Sequence, residues 1–278
     1  MTLNRRQATL GLLAAAAAPA WAQEWTPSQP ITILVGFAPG GSADQIARQL
    51  SFAAKGIIPV PVLVVNKAGA AGAIAAEATA QAKADGYTLF VGGGSETTSV
   101  GNHKKLPYDP RSSFTPVIKV SRAPSLLAVR SDSRFADMKA YLAEAKQAPE
   151  KVSYASTGEG GIFHSTGLVL EKQAGIKLLH VPYKGAADSM NALLGGQVDV
   201  MCDQTTQTVP QIKAGNVKLY GVTTKQRVKV LPQAPTLHEQ GLKDFEVVVW
   251  HGVYAPKGTP AAIVESMNKA VRAALKDP

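Results

Sequence analysis

Short runs of Val, Ile and Leu alternate with helix-patterned segments along this chain, and the alternation begins twice. In the first series the run 31–35 (ITILV) reads as a buried strand, and a glycine turn hands it to the helix pattern of Ile46, Ala47 and Leu50. A strand at 62–65, an alanine-rich helix over 72–84 and a strand at 87–91 follow. Uniformly apolar strands separated by helices belong to parallel sheets covered on both faces, since a parallel pair needs a long crossover and that crossover is usually a helix. The second series has helices over 135–147, 163–173, 186–194 and 208–214, interleaved with strands at 152–155, 178–181, 198–201 and 218–222. The expected fold class is α/β, with two doubly wound α/β domains joined by crossover strands.

The crossings fall where the rhythm breaks. Residues 114–130 hold two apolar stretches, 116–120 and 126–129, with no helix pattern between them, and they carry the chain into the second domain. A strand at 246–250 brings it back, followed by Thr259, placed to cap a helix, and Pro260, suited to its first turn. The expected division is 23–120 plus 245–278 for domain one and 121–244 for domain two. Two crossings make a hinge, and the cleft beside it is a natural ligand site.

Ahead of the first strand, Arg5 and Arg6, the apolar run 10–18, Pro19 and the triplet Ala20, Trp21, Ala22 have the order of a signal peptide over residues 1–22. The apolar run is too short to span a bilayer, which takes about 20 residues. Export through the general or the twin-arginine route places the protein in the periplasm. Cys202 is the only cysteine, so no internal disulfide and no lipid anchor are available, and stability rests on the 45% of residues that are hydrophobic. Loss of Arg5 and Arg6 takes the net charge from +9 to +7. That excess suits an anionic ligand, an anionic surface or simple solubility. With 6% aromatics and no long basic block, nucleic acid is not an expected partner.

Two glycine turns carry the strongest local signals. Phe37, Ala38, Pro39, Gly40, Gly41, Ser42, Ala43 and Asp44 lie between a strand and a helix, where glycines let a ligand approach the backbone and the helix amino end offers unpaired N–H groups to an anion. A structural alternative stays open: Ser42 and Gln45 as a capping box, with Asp44 a first-turn acid. Ser156, Thr157, Gly158, Glu159, Gly160 and Gly161, followed by His164, repeat the arrangement in the second domain. Ser95, with Thr97 and Thr98, and Asp203 each follow a strand, the position at which open α/β sheets bind ligands. Asp203 precedes Gln204, Thr205 and Thr206, which are alternative helix caps. The candidate ligand-binding residues are therefore Phe37, Gly40, Gly41, Asp44, Ser95, Ser156, Thr157, Gly158, His164 and Asp203.

Catalytic readings fail on spacing. Thr97 stands where a nucleophile elbow around Ser95 needs glycine, no phosphate-loop lysine follows either turn, and Phe163 occupies the last glycine position of a dinucleotide fingerprint. His103, His164, His180, His238 and His251 lack metal-ligand spacing, so neither metal nor cofactor is expected.

Several stretches resemble the tripartite tricarboxylate transporter receptors, also called Bug proteins: VGFAPGGSAD (35–44), VNKAGAAG (65–72), LPYDP (106–110), FTP (114–116), YASTGEGGIFH (154–164) and HVPYKGAADSMNALLGGQVDVMCD (180–203). The likeness runs from about Pro30 onward. It implies a periplasmic binding protein-like clamp that holds a small organic carboxylate between its lobes. It also implies a transient partnership of the monomer with the membrane permease subunits of a tripartite transporter; docking on a membrane sensor kinase is the alternative output. Carried over by position, the family pocket uses residues 37–44, Ser95, residues 156–158, His164 and Asp203. The segment between Ser95 and Leu106 is shorter than in the family and carries Glu96 and Gly101. The resemblance further implies helices beyond Pro278 that would cover domain one, so the C-terminus is read as truncated.

Overall fold

The structure, a computed structural model, describes residues 25–102 and 106–276; the expected signal peptide lies outside them. The first lobe opens with strand β1 (Ile31–Val35), helix α1 (Ser42–Ala53) and strand β2 (Val62–Asn66). A short 3-10 turn (Ala70–Gly72) leads into α2 (Ala73–Ala80), and β3 (Thr88–Gly93) runs directly into α3 (Gly94–Asn102). β1 pairs in parallel with both β2 and β3.

Strand β4 (Phe114–Arg130) belongs to both lobes. Residues 114–124 pair with β9 (Val248–Pro256), and residues 125–130 pair with strands of the second lobe. The two apolar stretches of the sequence are thus one 17-residue strand. Its register with β9 shifts between Pro116 and Ile118 and again between Lys119 and Ser121. Proline cannot donate to a ladder and is tolerated at such irregularities, which bend and twist a strand.

The second lobe contains α4 (Met138–Gln147), β5 (Ser153–Ser156), α5 (Ile162–Ala174), β6 (Leu179–Pro182), α6 (Ala186–Leu194), β7 (Val200–Gln204), α7 (Thr205–Lys213) and β8 (Val217–Val222). β5 lies parallel between β6 and β7, while β4 is antiparallel to β7 and β8. Helix α8 (Ala261–Ala274) follows β9 and returns to the first lobe. The strand order is β2-β1-β3-β9-β4-β7-β5-β6, so each lobe is a parallel α/β unit completed by antiparallel crossover strands.

Both faces of each sheet are packed. In the first lobe Ile31, Val35, Val91, Val253 and Met267 form one core, and Leu34, Ala75, Ala76 and Phe90 form the other. In the second, Leu127, Tyr141, Tyr154 and Phe245 pack on one face and Leu126, Leu193, Met201 and Val222 on the other. Leu126 and Leu127 point to opposite faces, as neighbours in a strand must. At the hand-over, Thr223 donates from its amide and its hydroxyl to the Ser125 carbonyl, and its hydroxyl also reaches the Val247 carbonyl. Ser125 and Thr223 are fully buried.

Several local expectations change. Helix α3 has no counterpart among the expected elements. Helix α4 starts at Met138 because Asp137 caps it, accepting from the Ala140 amide at 2.8 Å. Thr259 does not cap α8: its hydroxyl donates to the Pro256 carbonyl, and Pro260 holds the cap position.

Candidate functional site

Five helix amino ends meet at one cavity between the lobes. Ser42 and Ala43 of α1, Gly94, Ser95 and Glu96 of α3, Ile162 and Phe163 of α5, Ala186 of α6 and Gln204 ahead of α7 all line it. Each of these helices follows the carboxyl end of a strand. First-turn amides have no intrahelical acceptor, and each helix amino end carries about half a positive charge. None of the described lining residues is Lys or Arg. Attraction for an anion therefore comes from oriented peptide groups, while Phe37, Phe163, Val249 and Trp250 supply apolar wall.

The lobes touch around this cavity. The Ile162 amide donates to Ser95 Oγ at 3.3 Å, Thr98 Oγ1 to the Gly160 carbonyl at 3.2 Å, the Ala38 amide to the Lys184 carbonyl at 3.4 Å, and the Gln207 side chain to the Gly40 carbonyl. Glycine makes this approach possible, since a Cβ on Gly158 would lie 3.2 Å from the Ala71 backbone and one on Gly185 3.0 Å from Ala38 Cβ. The free space at its centre is about 30 Å³, room for one or two waters.

Behind the wall, Asp44 ties the first turn together. Its carboxylate accepts from the Gly40 amide at 2.9 Å, Arg48 Nε at 2.9 Å and Asn66 Nδ2 at 2.8 Å. Burial raises its pKa, but the bonds from Arg48, Gly40 and Asn66 outweigh burial and hold the carboxyl below its ordinary value. The capping box does not form: Gln45 donates to the Gly40 carbonyl, and Ser42 Oγ has no partner.

The second turn is held by neutral groups. Ser156 Oγ bonds His180 Nε2 at 2.7 Å, and the Gly160 amide donates to His164 Nδ1 at 2.9 Å. The two imidazoles stack with centroids 4.0 Å apart, and Tyr154 covers the other face of His180 at 4.9 Å. Burial first, and then His164, push the His180 pKa down to about 4.

Of the expected site residues, Phe37, Gly41, Ser95 and Thr157 line the cavity, whereas Gly40, Asp44, Ser156, Gly158, His164 and Asp203 do not. Gly40 and Gly158 shape the turns. Asp44, Ser156 and His164 spend their polar atoms on the turns themselves, and Asp203, fully buried, accepts from Thr208 Oγ1 at 2.7 Å.

Sequence reasoning missed Glu96, Gln204, Trp250 and His251 as wall residues. Trp250 and His251 arrive on β9, a strand that no local motif ties to the turns. Glu96 is 4% exposed; its Oε2 accepts from the Gly93 amide at 2.7 Å and its Oε1 has no partner. Burial pushes the Glu96 and Asp203 carboxyls up to about 7, and the His251 imidazole down to about 4. His251 Nδ1 pairs with Ser121 Oγ at 2.9 Å. Ser156, bonded to His180, is itself fully buried.

Residues 46–278 match the model of the tripartite tricarboxylate transporter family receptor. The protein of the TAR-I ttuE-ttuC' intergenic region of Agrobacterium vitis is 40% identical over 93% of this chain and 75% of its own length. The solved periplasmic binding protein BugD superposes with a TM-score of 0.86 at 41% identity, covering 91% of this chain and 84% of its own. MatC from Rhodopseudomonas palustris, solved with bound malate, gives 0.86 at 34% identity, covering 89% and 85%.

Proposed function

The chain belongs to the tripartite tricarboxylate transporter receptor family, a family of receptors and not of enzymes, and from that premise we propose that it is a periplasmic receptor that closes on a small organic carboxylate and delivers it to the permease subunits of a tripartite transporter. The observation that carries the reading is the convergence of five helix amino ends on a cavity whose described lining has no Lys or Arg. Oriented amides stabilise an anion without a fixed counter-charge, and release then costs no broken ion pair. A carboxylate in MatC, a relative of the same fold, supports the same chemistry here. The ligand contacts are Phe37, Gly41, Ser95 and Thr157 with the first-turn amides of α1, α3 and α5. Asp44, His164 and Asp203 act through the turns they brace.

The domain division at 120/121 and 244/245 is supported to within a few residues by the change of β4 partners after Pro124 and by the start of β9 pairing at Val248. Among the described residues no helix is long and apolar enough to cross a membrane.

The test is a thermal-shift screen of the full chain against aliphatic, aromatic and amino carboxylates. A ligand at 100 times its Kd contributes about 2.7 kcal/mol, so at least one acid raises Tm by roughly 5–10 °C in a protein of this size, and its uncharged amide does not. A panel in which no carboxylate moves Tm overturns the reading. Binding of the loaded receptor to membranes that contain the permease, and not to membranes that contain a sensor kinase, distinguishes transport from signalling.

A further inference from the structure

Two of the hydrogen bonds that cross the cleft share one plan with the lobes exchanged. Thr98 Oγ1, on α3 of the first lobe, donates to the Gly160 carbonyl in the second lobe's glycine turn at 3.2 Å. Gln207 Nε2, on α7 of the second lobe, donates to the Gly40 carbonyl in the first lobe's glycine turn. Each donor stands within the first two turns of a helix that starts at the cavity. Each acceptor is a glycine at positive φ, 79° for Gly160 and 89° for Gly40, a backbone that side-chain-bearing residues adopt only under strain. Neither Thr98 nor Gln207 is among the described residues that line the cavity.

Both grips have a partner to fall back on. The Thr98 hydroxyl has a second acceptor in its own helix, the Ser95 carbonyl at 3.1 Å, and the Gly40 carbonyl also accepts from Gln45 of its own lobe at 2.9 Å. A hydroxyl carries one proton, so Thr98 serves Gly160 or Ser95 but not both at once. When the lobes part, that proton returns to Ser95, the Gly40 carbonyl keeps Gln45, and the Gln207 amide, only half-buried, meets water. A polar group stranded in the interior costs about 1–3 kcal/mol, whereas an exchanged hydrogen bond nets about 0.5–1.5 kcal/mol. Opening therefore exchanges bonds instead of stranding groups, and the grips weight the closed state without locking it.

We propose that Thr98 and Gln207 are positioning residues for carboxylate capture: each grips the glycine turn of the opposite lobe, and together they hold the cleft shut over the anion and set how long it stays, without touching it. The proposal rests on the carboxylate-receptor reading. The reciprocal grips keep the two turns facing each other, so the amino ends of α1 and α5 bear on the anion together. They form after the anion has entered, and so they govern its escape and not its entry.

The experiment measures entry and escape separately. Calorimetry of the full chain against succinate, malate, aspartate and benzoate picks the tightest of the four. Stopped-flow mixing with that acid, followed by the fluorescence of Trp250 in the cavity wall, gives its association and dissociation rates. T98V and Q207A each raise the dissociation rate about three- to tenfold and leave the association rate within about twofold. T98S, which keeps the hydroxyl, restores the slow dissociation, which a role in packing alone would not require. Should T98V fold poorly, Q207A on the half-buried face of α7 decides. Unchanged dissociation in either well-folded variant, or a loss that falls on association instead, overturns the proposal and leaves the receptor reading standing. An unmodified chain that binds none of the four acids, nor any carboxylate of the wider panel, sinks both.

Discussion

Residues 37–44 and 156–164 both run from a parallel strand through glycines into a helix, yet what stiffens them is different. The first turn is fastened by a carboxylate with an arginine and an asparagine around it, the second by stacked imidazoles and a serine hydroxyl. The glycines differ too. Gly40 has φ of 89° and nothing within 4 Å of a would-be Cβ, whereas Gly158 has φ of 131° and the Ala71 backbone of the opposite lobe at 3.2 Å. A shared local plan thus serves two purposes: the first turn is a braced platform, and the second is the surface that seats against it.

That contrast is most strongly tested by alanine at the two glycines. Gly40→Ala meets only backbone strain, about 1–2 kcal/mol, which lowers Tm but lets the lobes close. Gly158→Ala meets the same strain and a collision across the cleft, so carboxylate affinity falls by about a hundredfold or more, equivalent to roughly 3 kcal/mol. Titration of both variants with the same acid measures the difference; equal losses would break the contrast.

Acid separates the turns next. His180 has a folded pKa near 4 against about 6.5 when unfolded, so the unfolded chain takes up the proton first. Its contribution to stability is present above about 6.5 and is lost as pH falls toward 4. Asp44 is held below its ordinary value, so its contribution persists to below about 4 and disappears only as pH falls through the folded value. Glu96 in the first lobe and Asp203 in the second titrate the other way, gaining stability as pH falls from about 7, one in each lobe. Between pH 6.5 and 4.5 the amide protection factors, which remove the intrinsic pH dependence of exchange, are expected to fall in residues 156–164 before residues 37–44. The reverse order would contradict the assignment of the stiffening groups.

The smallest effect belongs to Arg48. Its side chain is 53% exposed, and Arg48→Ala leaves Asp44 with Gly40 and Asn66, so the loss is small and shrinks at high salt. Denaturant melts at low and high ionic strength measure it.

Much of this architecture could be read from residue types. The strands of Val, Ile and Leu and the helix at 186–194 stand where apolar spacing puts them. Helix α3 is illegible because its residues, GSETTSVGN, are, apart from Glu96 and Asn102, glycine and β-branched or hydroxyl types with weak helix propensity. Tertiary contacts and back-bonds such as Ser99 Oγ to the Ser95 carbonyl hold it instead. Strand β4 reads as two pieces because Ser121, Arg122, Pro124 and Ser125 interrupt its apolar run, and only pairing with β9 shows them as one strand. At the site, the glycine turns announce themselves. Which side chains face the ligand does not follow from them, because Asp44 and His164 turn back onto their own loops and Trp250 and His251 arrive from a distant strand.

The middle position of β9 also sets an order of assembly. It lies between β3 and β4, so Phe90 finds its neighbour Tyr254 only after nearly the whole second lobe has been made. The second lobe's strands β5 to β8 come from one continuous stretch and can pair with the end of β4 as they emerge. The first lobe holds an open seam until β9 slots in, and long-range closures of that kind are slow. The lobe synthesised first is the one that finishes last, and its unsealed edges are what a chaperone would find to hold.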